Sequence, residues 1–438
     1  MIQSAVLEVL VLPVSNNMEI KELYKLFLAS AGVNTDSRTI SEGQLFFALR
    51  GENFNGDDFA LKALADGASY AVVSEECAAD DPRLIKVPST LEALQALAAY
   101  HRSRLGIPVI GLTGTNGKTT TKELIREVLA TSYKVCATEG NLNNDIGVPL
   151  SVLKIGPSHE IAIIEMGASH PEDLKPLLAV AQPTHGLITN VGKAHLLGFG
   201  SFEGVKHAKG LLYDYLKLHH GLAFANGDDA TLQEMLWERN LRCVAYGLEG
   251  VTVLPSSPSH PFLRLSFEDG VLETHLVGAY NAANVLAALK IGWFFNVPST
   301  AARAAIAAYE PSNKRSQLLA TGRNSVIVDA YNANPSSMAV ALDNLSLVEG
   351  RKVALLGEMR ELGADSSAEH IRIVQRLAGL EAYLVGEEFS KAAAGTDIPC
   401  FATSSDLASY LTEHPLSGCT ILVKGSRGTR METVLPAL

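Results

Sequence analysis

A lysine, three consecutive threonines and closely spaced glycines stand together in "GLTGTNGKTTTKE", residues 111–123. Gly117-Lys118-Thr119 is the kind of tripeptide that grips nucleotide phosphates. Backbone N–H groups of the turn surround the phosphate oxygens, the Lys118 ammonium reaches the β and γ phosphates, and the Thr119 hydroxyl is offered to Mg²⁺. The spacing departs from the common phosphate loop, which has a glycine five positions before the one preceding the lysine. Leu112 occupies that place, with Gly111 and Gly114 on either side. Gly114, Thr115, Asn116, Gly117, Lys118, Thr119 and Thr120 form the candidate ATP-binding loop; the bland alternative is a glycine-rich turn with a surface lysine.

The flanking elements favour phosphate. Residues 107–112 read as an apolar strand, and residues 119–131 fit a helix with Leu124, Ile125, Val128 and Leu129 on one face. The loop therefore opens a helix, whose N-terminal dipole and free N–H groups favour an anion. "IPVIGLT", "EIAIIEMG" and "THGLITNVG" read as buried strands that each deliver a polar residue at the C-terminal end, where open α/β sheets bind ligands. In the last third, "NSVIVDAY", "KVALLGEM", "AYLVGEE" and "TILVKGS" alternate with helical patterns, which predicts a parallel sheet covered by helices. Asn334 is placed to cap, and Pro335 to open, one of those helices.

The whole chain sets bounds. Its 438 residues suffice for about three domains of roughly 150 residues each. Interruptions at 102–108 and 309–316 place the expected domains at 1–102, 103–311 and 312–438, with "PSSPSHP" at 255–261 a surface loop of the second. Residues 1–17 read as an extension ahead of the helical pattern that follows Met18. A net charge of −11 argues against nucleic acid as a partner. Five scattered cysteines, without a Cys-x-x-Cys pair, suggest neither a zinc site nor a disulfide framework and point to the reducing cytoplasm. No segment reads as a signal peptide or as a membrane span.

"GTNGKTTTKE" resembles the phosphate loop of the Mur ligase family, the ATP-dependent amide-bond ligases of cell-wall precursor synthesis and their folate-glutamating relatives. The resemblance runs from about residue 19 to the end. It implies an α/β protein of three domains: a small N-terminal α/β UDP-binding domain, a central P-loop domain with a mostly parallel sheet, and a Rossmann-like, doubly wound C-terminal domain. "TDSRTISEGQLFFALRGENFNGDDF" (35–59) is similar to the family's UDP-binding segment, with Ser37, Arg38 and Asn55 as candidate contacts. Without the family it is only a glycine-rich loop with a few charges.

"EGNLNNDIGVPLS" (139–151), with Asn143 and Asn144, "TNVGKAHLLGFGS" (189–201) and "DAYNANPSSM" (329–338) resemble segments of the member acting on UDP-N-acetylmuramoyl-tripeptide and D-alanyl-D-alanine. The relative that adds diaminopimelate carries Asp-Asn-Pro-Arg in its last domain. Here only "DDPR" occurs, at Asp80–Arg83 in the first. Another Mur-type ligase, a P-loop kinase or a nucleotide-gated binding module remain the competing readings.

The resemblance implies phosphorylation of the tripeptide carboxylate by ATP, then attack by the dipeptide amine on the acyl phosphate. Two Mg²⁺ ions would screen the approach of a carboxylate to a triphosphate. Thr119 and Glu165 would serve the ion on the ATP side and His195 the second. Lys209 matches a lysine carbamylated by CO₂ in the family, although the acidic residue common after the next glycine is Leu211 here. Read alone, a histidine such as His195 is more often structural than ligating, and Lys209 is a solvated helix lysine. Asn281 and Asn284 match adenine contacts, with Tyr280 where the family commonly has histidine. Arg315 matches an arginine at the γ-phosphate, and Asp329 a ribose-binding carboxylate. Lys118, Lys209, His195 and Arg315 form the implied catalytic set. Tyr331, Asn332, Asn334, Lys424, Ser426 and Arg427, with "LGEMRELG" (356–363) and His370, are expected to face the dipeptide and tripeptide. A monomer whose third domain closes over the nucleotide is the expected form.

Overall fold

The computed structural model describes residues 13–15, 18–257, 260–311 and 317–438. Of the expected N-terminal extension only Pro13–Ser15 lies within that range, paired antiparallel with Met18–Glu19; the rest lies outside the described residues.

Four short strands, Val33–Asn34 (β1), Leu45–Phe47 (β2), Tyr70–Ser74 (β3) and Leu84–Val87 (β4), pair in parallel in chain order. Helix Ile20–Ala29 (α1) buries Ile20, Leu23 and Phe27, one stripe at helical spacing. Helix Thr90–Ser103 (α2) starts where the Ser89 side chain accepts from the Glu92 N–H, and it buries Leu94 and Leu97 in a core shared with Val148 and Leu177 of the next unit. At the seam, buried Arg102 donates to the carbonyls of Ala181 (3.1 Å), Gln182 (3.0 Å) and Leu105 (2.9 Å). Three carbonyls are thus satisfied by one guanidinium, which ties the end of α2 to the central unit.

The central sheet is parallel throughout. Its strands are Val109–Thr113 (β5), Val135–Ala137 (β6), Ile161–Glu165 (β7), His185–Ile188 (β8), Leu222–Asn226 (β9) and Cys243–Tyr246 (β10), in the order β6-β7-β5-β8-β9-β10. Alternate residues supply two cores, Val109, Ala162 and Ile164 on one face and Ile110, Leu112 and Ile163 on the other. Helix Lys118–Ala130 (α3) and helix Ala282–Phe294 (α5) cover the second face; helix Phe202–Leu218 (α4) covers the first. Register sets Glu165 beside Leu112 and Ile188 beside Thr113, so the carboxyl ends of β5, β7 and β8 open at one edge. A small antiparallel sheet, Thr252–Leu254, Arg264–Phe267 and Gly270–Glu273, carries the 255–261 segment between its first two strands.

The last unit contains Gln317–Ala320 (β11), Ser325–Asp329 (β12), Arg351–Gly357 (β13), Glu381–Val385 (β14), Cys400–Phe401 (β15) and Cys419–Lys424 (β16), ordered β11-β12-β16-β13-β14-β15. Only β11 runs antiparallel, at the edge. Ile327, Leu356 and Leu422 pack one face under Met338 and Ile373, while Val328, Leu355 and Val423 pack the other under Leu407 and Met431. This is the helix-covered parallel sheet expected from the alternating pattern, in the doubly wound form that the family resemblance implied. Helix Pro335–Ser346 (α6) begins with a capping box: Asn334 accepts from the Ser337 N–H while the Ser337 hydroxyl accepts from the Asn334 N–H. Among the described residues no helix is long and apolar enough to cross a membrane.

Candidate active site

The loop after β5 is shaped by the segment after β8. Gly114 has φ +142°, and a Cβ there would lie 2.0 Å from Thr189 Oγ1; Gly117, at φ +78°, faces Asn284. Only glycine fits both demands. The Thr115 N–H donates to the Asn190 carbonyl (3.0 Å) and the Asn116 N–H to Asn190 Oδ1 (3.0 Å), while Thr189 Oγ1 donates to the Asn116 carbonyl at 2.6 Å. Lys118 Nζ folds back onto the carbonyls of Gly114 (2.7 Å) and Thr115 (3.1 Å). A phosphate would offer that ammonium stronger, charged acceptors at the same place.

Beside the loop, Glu165 ends β7 with 1% exposure. Its Oε1 accepts from Asn143 Nδ2 (2.8 Å) and Thr119 Oγ1 (3.3 Å). Its Oε2 accepts no hydrogen bond and lies 3.3 Å from Lys122 Nζ. Among the described residues no three His, Cys, Asp or Glu side chains converge as a metal cluster. The hydroxyl of Thr119 and one buried carboxylate do fit a hard cation that takes its remaining ligands from water and phosphate, as Mg²⁺ does.

Lys209, on α4, is 2% exposed. Its Nζ donates to the Ala168 carbonyl (3.2 Å) and sits 5.3 Å from the centre of the Phe199 ring. Burial, then repulsion from Lys118, lowers its pKa to about 7, against a weaker pull from Asp173. A buried amine that gives up its proton near neutrality fits the chemistry of a carbamate, which forms on the neutral amine. His195 adopts a left-handed backbone (φ +51°) at the start of the short helix Leu196–Phe199, and its Nδ1 pairs with the Glu361 carboxylate of the C-terminal unit. Burial lowers its pKa, opposed by Glu361 and assisted by Lys118 and Lys209. The imidazole is thereby held towards its neutral, metal-ligating form.

Across the loop, Thr121 Oγ1 donates to Asn284 Oδ1 (3.0 Å), Asn284 Nδ2 to Asn281 Oδ1 (2.8 Å), and Asn281 Nδ2 to the Val277 carbonyl (2.8 Å). From the C-terminal unit, Asp329 and Lys424 are register partners whose side chains form an ion pair. Asn334 Nδ2 donates to Asn116 Oδ1 at 2.8 Å, and Ser336 Oγ accepts from the Lys193 N–H at 3.0 Å. The result is one cavity of about 1050 Å³, reaching from Thr115–Thr120 and Glu165 to Asp329, Tyr331 and Lys424. A smaller recess of about 240 Å³ adjoins it, between His195, Tyr331, Asn332, Arg360, Glu361, Ser426 and Arg427.

Residues 30–102 match the profile of the Mur ligase family catalytic domain, residues 112–292 the Mur ligase middle domain, and residues 314–427 the Mur ligase glutamate ligase domain. The chain is 33% identical over 435 residues to the UDP-N-acetylmuramoyl-tripeptide--D-alanyl-D-alanine ligase of Escherichia coli, covering 93% of both chains. It belongs to the Mur ligase family. The ligase of the same name from Bacillus subtilis is 33% identical over 432 residues, again with 93% of both chains covered. Solved Mur ligases show the same architecture. MurF from Acinetobacter baumannii superposes with a TM-score of 0.84 at 28% identity, covering 98% of this chain and 99% of that one. MurF ligase from Thermotoga maritima, in complex with ADP, gives 0.82 at 27% identity, covering 94% and 97%.

In this Mur ligase the cavity gathers Thr115–Thr120, Asn143, Asn144, Glu165, His195, Asn281, Asn284, Asp329, Tyr331, Asn332, Asn334 and Lys424. Ser426 and Arg427 line the smaller recess, with the Arg427 guanidinium 5.5 Å from the centre of the Tyr331 ring. Arg315 lies outside the described residues. Ser37, Arg38 and Asn55 do not line either space. Arg38 is clamped by both oxygens of Asp36 (2.8 and 2.7 Å), and Asn55 caps the turn Gly56–Phe59 by accepting from the Asp57 N–H.

One expectation is corrected. His370 does not face a substrate: it is fully buried, with Nε2 accepting from the Met359 N–H (3.0 Å) and Nδ1 at 2.7 Å from the Ser366 carbonyl. Both ring nitrogens are spent on backbone, so its part is to hold the 356–363 loop. Sequence reasoning also missed Gln95 of α2, which lines the large cavity, and Lys122. Gln95 carries no sequence signal. Lys122 does, because it shares the stripe of Ile125 and Leu129 on α3, where a lysine is out of place.

Proposed function

We propose that this Mur ligase joins the terminal carboxylate of UDP-N-acetylmuramoyl-tripeptide to the amine of D-alanyl-D-alanine with cleavage of ATP, a step of peptidoglycan precursor synthesis. What carries this reading is 33% identity over 93% of both chains to relatives named UDP-N-acetylmuramoyl-tripeptide--D-alanyl-D-alanine ligase. The cavity is suited to it: a glycine-rich loop at a helix N-terminus, a buried carboxylate and a second recess adjoin one another, and the Lys209 amine reaches the cavity wall through the Ala168 carbonyl.

Phosphoryl transfer forms a bond from a tripeptide carboxylate oxygen to the γ-phosphorus and breaks the bond to ADP. The dipeptide nitrogen then attacks the acyl carbon, phosphate leaves, and the amine gives up a proton. The N–H groups of Gly117–Thr120 at the start of α3 hold the phosphates, those of Thr115 and Asn116 being bonded to Asn190, and Lys118 turns from its loop carbonyls to the β,γ oxygens. Thr119 and Glu165 would hold one Mg²⁺, with His195 and carbamylated Lys209 at a second. The ions would supply charge neutralisation between carboxylate and triphosphate. Asn281 and Asn284 would position adenine, Asp329 the ribose and Arg315 the γ-phosphate. Ser37, Arg38 and Asn55 would take the UDP group, which requires the Arg38 guanidinium to exchange its Asp36 partner for phosphate. Tyr331, Asn332, Ser426 and Arg427 would face the dipeptide. Three domains, 1–102, 103–311 and 312–438, a monomeric state and a cytoplasmic location complete the proposal.

Phosphate release measured with a panel of acceptors, and the product mass, tests this. D-alanyl-D-alanine is expected to support turnover in the presence of the UDP-linked tripeptide. Acceptance of single amino acids alone would overturn it.

A further inference from the structure

Lys122 has no part in the chemistry above, yet its side chain is 2% exposed, lies on the apolar stripe of α3, and ends 3.3 Å from Glu165 Oε2. Its second contact is the Gly140 carbonyl at 3.1 Å, in the turn that carries Asn143, and Asn143 donates to the other carboxylate oxygen. Glu165 is therefore divided. Oε2 is taken by an internal cation, and Oε1 alone is turned towards Thr119 and the phosphate loop.

We propose that Lys122 is a positioning residue: the resident counter-ion of Glu165, which restricts that carboxylate to one metal-facing oxygen and makes loading of a divalent cation depend on nucleotide. This rests on the reading of Glu165 as the nucleotide-side cation residue. Taking a carboxylate out of water is costly unless a cation accompanies it, and Lys122 supplies that cation while the site is empty. Because the buried charge is already balanced, a divalent ion gains little from Glu165 alone; the further negative charge of the phosphates makes its binding favourable. The bond to Gly140 holds the 139–144 turn against the same pair, so Asn143 stays on Oε1.

The test uses Mn²⁺ as the probe, followed by the electron paramagnetic resonance of the free ion, with thermal melting of the same samples. Nucleotide-free wild type is expected to leave Mn²⁺ free. Lys122→Met is expected to melt lower, to take up Mn²⁺ at least about tenfold more tightly without nucleotide, and to regain part of the lost midpoint when Mn²⁺ is added. Lys122→Met/Glu165→Gln is expected to lose that uptake. Mn²⁺ binding by Lys122→Met no tighter than by wild type, or equal uptake by the double variant, overturns the proposal. If Lys122→Met does not fold, a soluble double variant supports the counter-ion role and an insoluble one overturns it. Glu165→Gln with ADP reports separately on the underlying reading: undiminished Mn²⁺ retention there would sink Glu165 as a cation residue, whatever the nucleotide-free samples show.

Discussion

Asn334 Nδ2 donates to Asn116 Oδ1 at 2.8 Å, tying the first turn of a C-terminal helix to the tip of the phosphate loop. The Asn334 Oδ1 meanwhile caps that helix through the Ser337 N–H at 2.8 Å. One side chain thus starts α6 and links its domain to the loop that opens α3. Serine caps as well as asparagine but is too short to reach Asn116. Asn334→Ser is expected to keep thermal stability and raise the KM for ATP several-fold, whereas Asn334→Ala also loses about 1 kcal/mol of stability. Steady-state kinetics beside urea unfolding of both variants checks this; an unchanged KM in each would remove the link from the mechanism.

Gly114→Ala meets two obstacles, the backbone at φ +142° and a Cβ position 2.0 Å from Thr189 Oγ1. Thr189 must move, and with it one of the two side-chain bonds that fix the Asn116 carbonyl. The strain is worth about 1–3 kcal/mol. Nucleotide affinity, measured by isothermal titration with ADP, is expected to fall at least about tenfold, since 1.4 kcal/mol is a factor of ten. Wild-type affinity would mean the loop tolerates a side chain there.

Lys209→Ala is expected to reduce kcat by at least about a hundredfold, the scale for removing one group that stabilises transition-state charge. ATP affinity should change little, because the amine contacts Ala168 and Phe199 rather than the phosphate loop. Rapid-quench turnover and nucleotide titration separate the two effects, and wild-type-like turnover would refute the carbamate role.

His185 begins β8 against Phe224, Phe294 and Phe295, and burial lowers its pKa from 6.5 to about 4. The unfolded chain therefore binds more protons than the native state between those values. Stability is full above about pH 6.5 and falls as the pH drops towards 4, by at most about 3 kcal/mol and less with solvent screening. Replacing His185 by Leu is expected to flatten this part of the profile in urea melts between pH 4 and 7. An unaltered slope would assign the acid sensitivity to other groups.

Local pattern carried far in this chain. Strand–loop–helix context placed the Gly114–Gly117 loop between a strand and a helix, and α3 begins at Lys118, one residue from its expected start. The Asn334–Pro335 start and the parallel part of the C-terminal sheet were equally legible, because capping and alternation are short-range effects; the antiparallel edge strand β11 was not foreseen. Family likeness assigned roles to Glu165, His195 and Lys209, whose side chains carry little meaning one at a time.

By itself, then, the sequence determined the elements, their periodic faces and the residue types able to do the chemistry. Tertiary structure alone decided which polar groups meet. It brought Glu361 to His195, Lys122 to Glu165, Asn334 to Asn116, and turned His370 inward onto two backbone groups. The physical reason is sequence separation. Hydrophobic periodicity reports a residue's nearest neighbours along one element, whereas charge pairing and desolvation depend on which strand ends the sheet order sets side by side.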